Sequence, residues 1–212
     1  MMETVREGIL TAWQAMSWLE VAAVALGIAY VILAARQNIL CWPAALGSTG
    51  IYFYLMLDAK LYLESGLQVF YLLMAIYGWW AWLRSPSDKQ AQTPTKPVTH
   101  MSGLQHALVV GLGVVFTLGM GFYFDNHTNA NMPYVDAFTT GFALITTYMV
   151  TEKKLENWLY WVVIDAVTIY LYFSREFYLS GLLMFAYTII AVVGYFQWRN
   201  DMHKQAQISV ST

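Results

Sequence analysis

The sequence predicts an all-α membrane protein whose seven transmembrane helices form a 3+1+3 parallel repeat, two three-helix bundles joined by one linker helix. Charged residues make up only 11% of the chain, against roughly 25% in a soluble domain. The 11 basic and 13 acidic side chains collect in short clusters between apolar runs of about 20 residues, the length a helix needs to cross a bilayer core. Like residues also recur in the two halves. Tyr71, Ala75, Gly78 and Trp82 fall on Tyr187, Ala191, Gly194 and Trp198 at an offset of 116, and Asn38 and Trp42 fall on Asn157 and Trp161 at 119. One odd helix between two such units makes both enter the membrane from the same side.

The first 16 residues set Arg6 between Glu3 and Glu7, so they lack the basic start of a signal peptide; the first apolar run is long enough to span and is expected to be retained, with 1–16 an amino-terminal segment on the outer side. Spans at 17–35, 39–57 and 64–83 make the first bundle, 17–83. Segment 84–103 holds Pro86, Pro94 and Pro97 among Ser, Thr, Gln and Lys, which reads as a flexible linker. The span at 104–124 is uncharged and carries Gly111, Gly113, Gly119 and Gly121, a helix that packs closely or faces lipid. Spans at 134–151, 156–174 and 177–198 complete the second bundle, 134–198, and 199–212 is a tail. None of these runs alternates at period two as a barrel strand does, and lipid-embedded backbone must satisfy its own hydrogen bonds, so helices remain.

Orientation follows from the basic residues. Arg6, Lys60 and Arg175 fall on the side of the amino terminus, whereas Arg36, Arg84, Lys89, Lys96, Lys153, Lys154, Arg199 and Lys204 fall on the other. The second side, with the linker and the carboxyl terminus, is expected to be cytoplasmic.

Other chemistries find little support. A net charge of −2 offers no footprint for nucleic acid, and a lone cysteine, Cys41, makes neither an intrachain disulfide nor a cysteine-rich metal site. The four histidines form no i, i+4 pair, and no Gly-Lys-Ser/Thr phosphate loop occurs. No metal or cofactor is expected, and a membrane enzyme is a secondary class. A homo-oligomer is compatible with the sequence.

Asp165 is the one acid deep within a span, where an ionised carboxylate needs a watery cavity or a cation. The alternative is a protonated acid hydrogen-bonded to a neighbouring helix. Trp158, Trp161 and Asp165 are spaced by three and four and so share a helix face, with Tyr172 further along it and Asn157 beside it. A flat, delocalised cation suits indole faces beside a carboxylate. Trp158 fits both the interfacial belt and the site, and Trp161, one turn deeper, fits the site. Gln68 and Tyr71 supply an amide and a phenol on adjacent turns, able to hydrogen-bond a ligand. Trp79, Trp80 and Trp82 beside Arg84 read as membrane anchors, Glu20 and Asp136 as wetted helix ends, and Ser48 and Thr49 as back-bonding to their own helix.

Glu156-Asn157-Trp158-Leu159-Tyr160-Trp161 before Asp165, with Gln68, Tyr71 and Tyr77-Gly78-Trp79, Asn38 and Trp42-Pro43, and Tyr187, Gly194 and Trp198, resembles the PnuC family of vitamin transporters over nearly the whole chain. The resemblance implies a SWEET-like fold in the bacterial inner membrane, with substrate held between the two bundles. It further implies alternating access and facilitated diffusion, made one-way by cytoplasmic phosphorylation of the vitamin. Carried over by motif, Gln68, Asn157, Trp158 and Trp161 contact substrate, with Tyr71 and Tyr187 beside them. The chain departs from the family at Ala75, Asp165 and Ala191, where nicotinamide riboside carriers tend to show Asn. Nicotinamide riboside is the leading expectation for the organic-cation substrate, thiamine the alternative, and riboflavin a cargo of other relatives. A non-transporting receptor is the competing class.

Overall fold

The computed structural model describes residues 2–84 and 96–210, and every regular element among them is helical. In chain order these are α1 (Met2–Ala15), α2 (Trp18–Ala35), α3 (Cys41–Asp58), α4 (Tyr62–Leu83), α5 (Gly103–His127), α6 (Pro133–Thr151), α7 (Asn157–Ser174) and α8 (Tyr178–Val210). Helices α2 to α8 fall on the seven apolar runs. Four segments among the described residues are long and apolar enough to cross a membrane by length and composition: Trp18–Ala35, Glu64–Leu83, Gly103–His127 and Tyr178–Gln207. The other three of the seven are more polar, because they hold buried polar groups such as Ser48 on α3, Thr146 and Thr147 on α6, and Asn157 and Asp165 on α7.

Two sequence expectations change. The amino-terminal segment is a helix of its own, α1, which packs on α8 through Gly8, where a side chain would meet the Tyr178 ring. The tail beyond residue 198 is not separate either, since α8 runs to Val210. At about 1.5 Å per residue its length exceeds a hydrocarbon core of roughly 30 Å.

Local chemistry sets the helix ends. Ser17 with Glu20, and Ser102 with Gln105, form reciprocal capping boxes that start α2 and α5, and Pro133 opens α6. Helices α2, α3, α6 and α7 each stop at a left-handed residue: Gln37, Lys60, Lys153 and Glu176, with φ of 54°, 60°, 48° and 62°. Each stop carries the two reversed hydrogen bonds of a Schellman turn, such as Gln37 N–H to Ala34 and Asn38 N–H to Leu33. Such turns usually use glycine. Here longer side chains occupy them, at positions 37 and 153 and again at 60 and 176, 116 residues apart.

Helix α2 packs on α3, α3 on α4, α6 on α7, and α7 on α8, while α5 lies along α6. The two sets meet where α2 touches α8 and α4 touches α6. Trp42 stands edge-on to Trp82 with ring centres 5.2 Å apart, and Trp158 stands edge-on to Trp198 at 5.3 Å. Each inner ring lies over a glycine, Gly78 under Trp42 and Gly194 under Trp158. Trp158, not Trp161, thus makes the contacts Trp42 makes, so the alignment of Trp42 with Trp161 was out of register by about one helical turn. Trp82 is wholly buried, which corrects its reading as an anchor; Trp79 and Trp80 are exposed, and Arg84 lies over the Trp80 ring. On α5, Gly113 and Gly121 receive Phe142 and Tyr134 of α6, and Phe116 fills the notch at Gly141. Such ring-into-notch packing replaces water expulsion as the cohesive force where lipid is the solvent.

The described part of the linker, 96–102, is strapped down. Thr99 N–H donates to Lys153, and Leu155 N–H donates to Thr99, at 3.1 and 3.0 Å. Lys96 pairs with Glu152 at 2.7 Å, and Met101 N–H and His100 meet the Glu156 carboxylate. Residues 85–95, with Lys89, lie outside the described residues. Thr99→Pro removes one donor and leaves the Lys153 carbonyl unpaired, so it should cost about 1–2 kcal/mol locally. The expected readout is faster protease cleavage within 96–102; unchanged cleavage would show that the strap does not hold the segment.

Candidate functional site

Between the two sets of helices lies a cavity of about 360 Å³. Helix α2 contributes Gly27, Tyr30, Val31 and Ala34; α3 contributes Ser48; α4 contributes Tyr71. From the other side come Val150 of α6, Trp158, Trp161 and Asp165 of α7, and Met184, Tyr187 and Ala191 of α8. Residues of six helices distant in sequence therefore converge on one hollow, mostly lined by rings and methyl groups.

Asp165 is 5% exposed. Its carboxyl has no hydrogen-bond partner and no cation within ion-pair range among the described residues, although it lines the cavity. No hydrogen bond ties the carboxyl to a neighbouring helix among the described residues. Counter-charge, where the group is ionised, has to come from the hollow itself. The spacing of three and four residues along α7 places Trp158, Trp161 and Asp165 on the cavity wall together. Tyr71 and Tyr187 face them from α4 and α8.

The hydroxyls of Tyr187 and Ser48 converge at Gly27, where a methyl group would come within 3.0 and 3.3 Å of them. Ser48 does not bond back to its own helix as expected. It donates to the Ala23 carbonyl on α2 at 2.8 Å, tying α3 to α2 under the cavity wall. Tyr30 and Ser48 were not singled out as site residues by the sequence. Their partial signal was a phenol and a hydroxyl inside apolar runs, types that also occur as ordinary packing.

Not every expected residue is brought together. Gln68 is partly exposed on α4 and is absent from the cavity wall. Asn157 is fully buried below the wall, where its amide donates to the Lys154 carbonyl at 2.6 Å and its oxygen has no partner among the described residues. It stabilises the turn into α7 in this conformation. Tyr172 packs on Phe177 and does not line the cavity itself. Asp136 is not merely wetted, since it pairs with Arg175 at 2.6 Å, whereas Glu20 serves its own capping box.

Toward the basic end of the molecule the two sets of helices are tied together. The Trp198 indole donates to the Ala34 carbonyl at 3.0 Å and the Trp82 indole donates to the Thr151 carbonyl at 3.2 Å, each bond crossing between the two sets of helices. Lys153, fully buried, donates to Gln37 at 2.9 Å, and its ammonium lies 4.2 Å from the Trp82 ring centre. Burial pushes the Lys153 ammonium down to about 8, which still leaves it mostly charged at neutral pH. Gln37 in turn donates to Asp201 at 2.8 Å.

Comparison with known proteins places these features in a family. The family described as nicotinamide mononucleotide transporter matches residues 17–200. The chain is 24% identical to the nicotinamide riboside transporter PnuC of Escherichia coli (strain K12), over 92% of this chain and 91% of that protein. It is 23% identical to the riboflavin/roseoflavin transporter RibM of Streptomyces davaonensis, over 85% and 84% of the two. Its fold is similar to the crystal structure of the vitamin B3 transporter PnuC, with a TM-score of 0.71 at 23% identity, covering 96% of this chain and 90% of the other.

Proposed function

The chain belongs to the PnuC family of nicotinamide mononucleotide transporters, and from that premise we propose that it takes up a cationic B vitamin, nicotinamide riboside first, through the cavity around Asp165. It is a multi-pass membrane vitamin transporter and not an enzyme. The observation that carries the choice of cargo is the unpaired Asp165 carboxyl inside a hollow walled by Trp158, Trp161, Tyr71 and Tyr187. Indole and phenol faces attract a flat cation, and a dry pocket strengthens its attraction to a carboxylate.

Thiamine is the second reading, favoured by the wall itself. The hollow presents hydroxyls and one carboxyl but no side-chain amide, since Gln68 and Asn157 lie off it. A site with few partners for ribose hydroxyls suits a cation with fewer of them. In this proposal Gln68 and Asn157 contribute to orienting the cargo in another conformation of the cycle.

The proposed architecture has seven crossings, with α2–α4 and α6–α8 as two parallel three-helix units and α5 as the link. Support comes from the edge-on tryptophan pairs and the left-handed turns, which recur 116 residues apart. The excess of basic residues at one end supports a cytoplasmic carboxyl terminus and an outer amino terminus in a bacterial inner membrane. The cycle is alternating access without ion coupling: the units rock about the bound vitamin, which diffuses down its gradient and is trapped by cytoplasmic phosphorylation.

Titrating nicotinamide riboside, thiamine and riboflavin against intrinsic tryptophan fluorescence tests the cargo class. Saturable quenching by one or both cations, and weaker quenching by neutral riboflavin, is the expected result. Preference for riboflavin would overturn the cation reading.

A further inference from the structure

The floor of the cavity and the seal beyond it share residues. Ala34 lines the hollow and accepts the Trp198 indole, while Trp158 lines it and stands edge-on to Trp198. Trp42, Trp82, Trp198 and Trp158 then form an unbroken chain of edge contacts, the middle pair 6.2 Å apart and reaching across the two units. Separating the two units at this end would part these rings.

Lys153 lies on this seal and is chemically out of place in it. Its side chain is fully buried and, among the described residues, its one hydrogen bond goes to the neutral amide of Gln37 and the one ring face it rests over is that of Trp82. No carboxylate lies within ion-pair range of its ammonium among the described residues; Asp201, bridged to it by Gln37, offsets its burial only in part and from a distance. A dehydrated ammonium with so little compensation penalises the packed state and regains its hydration when the rings separate. The lowered pKa already described has the same cause.

We infer that the tryptophan seal is the inner gate of the transport path and that Lys153 is its spring: a buried charge whose rehydration biases the gate toward opening, held shut by Gln37. The inference rests on the alternating-access reading proposed above. It assigns opposite effects to two neighbouring residues. Lys153→Met keeps the length and removes the charge, so it closes the gate more firmly. Gln37→Asn keeps a left-handed turn residue that is too short to reach both Lys153 and Asp201, so it loosens the gate.

Cys41 makes the gate readable without engineering. It is the chain's one cysteine, fully buried beside Trp42 and within electrostatic reach of Lys153. The experiment measures labelling of Cys41 by a membrane-impermeant maleimide applied to the cytoplasmic face of inside-out vesicles holding the full chain. Relative to the wild type, labelling should slow by roughly tenfold in Lys153→Met and quicken by roughly tenfold in Gln37→Asn, the weight of one charge-linked interaction. Unchanged or faster labelling in Lys153→Met overturns the spring, and unchanged or slower labelling in Gln37→Asn overturns the catch. Gln37→Asn, which leaves the Lys153 charge beside Cys41 in place, decides between gate and chemistry, because losing that charge also slows the thiol's reaction directly. Uptake of labelled nicotinamide riboside and thiamine by the wild type is measured in parallel. Its absence would sink the transport reading, whereas the labelling rates judge the gate alone.

Discussion

Asp165→Asn should weaken binding of a cationic vitamin by roughly 30- to 150-fold, the equivalent of about 2–3 kcal/mol for a charge pair removed from water. The substitution keeps shape and volume, so the hollow formed with Trp161 and Tyr187 should persist. Only the charge changes. Riboflavin, which carries none, should bind the variant as it binds the wild type. Tryptophan fluorescence titration of both proteins measures the effect, and the pattern across ligands identifies its origin. Selective loss for cations places the carboxylate against the cargo. Equal loss for neutral and charged ligands would mean that Asp165 shapes the cavity instead, and unchanged cation affinity would remove it from the site. That last outcome is also what a protonated acid at this position predicts.

The second large effect is structural. At Gly78 a side-chain carbon would overlap the Trp42 ring, which is 1% exposed and locked edge-on against Trp82. Neither ring has room to retreat, because Trp82 also holds the Thr151 carbonyl and carries Lys153. Gly78→Ala should therefore destabilise the fold by about 3 kcal/mol, the upper range for overpacking a tight core. For a chain of this size the detergent-solubilised protein should melt roughly 6–12 °C lower. Gly111→Ala is the control, since nothing surrounds that position on α5 and alanine favours a helix. Its melting temperature should be unchanged or slightly higher. If Gly78→Ala melted like Gly111→Ala, the ring-on-glycine contact would not be what seals this end of the molecule.

The positions of the helices were legible because each long apolar run had charged or turn-forming residues at its borders. Helix α1 was not, since a short segment with Glu3, Arg6 and Glu7 shows no apolar run of spanning length and its contact with α8 leaves no mark in the sequence. Side chains at the ends of spans were the hardest to read. Trp79, Trp80 and Trp82 look alike in sequence, yet helical geometry turns Trp82 inward and leaves the others outside. The same ambiguity displaced the alignment of the halves: matching Asn38 and Trp42 with Asn157 and Trp161 follows residue identity, whereas packing pairs Trp42 with Trp158. The three-and-four spacing of Trp158, Trp161 and Asp165 gave their shared helix face, and that face lines the cavity. Gln68 and Asn157 rested on family resemblance, and in this conformation they lie off the wall. Tyr30 and Ser48 carried too little signal, because neither periodicity nor charge separates a cavity phenol from a packed one.

Proteoliposome uptake of labelled nicotinamide riboside and thiamine, compared between the wild type and Asp165→Asn, bears most directly on the whole account. Saturable entry of at least one cation into wild-type vesicles, lost in the variant at vitamin concentrations near the wild-type half-saturation point, is the result expected. Binding without entry would make the protein a receptor, and entry undiminished in Asp165→Asn would contradict the claim that cargo crosses through the carboxylate-bearing hollow.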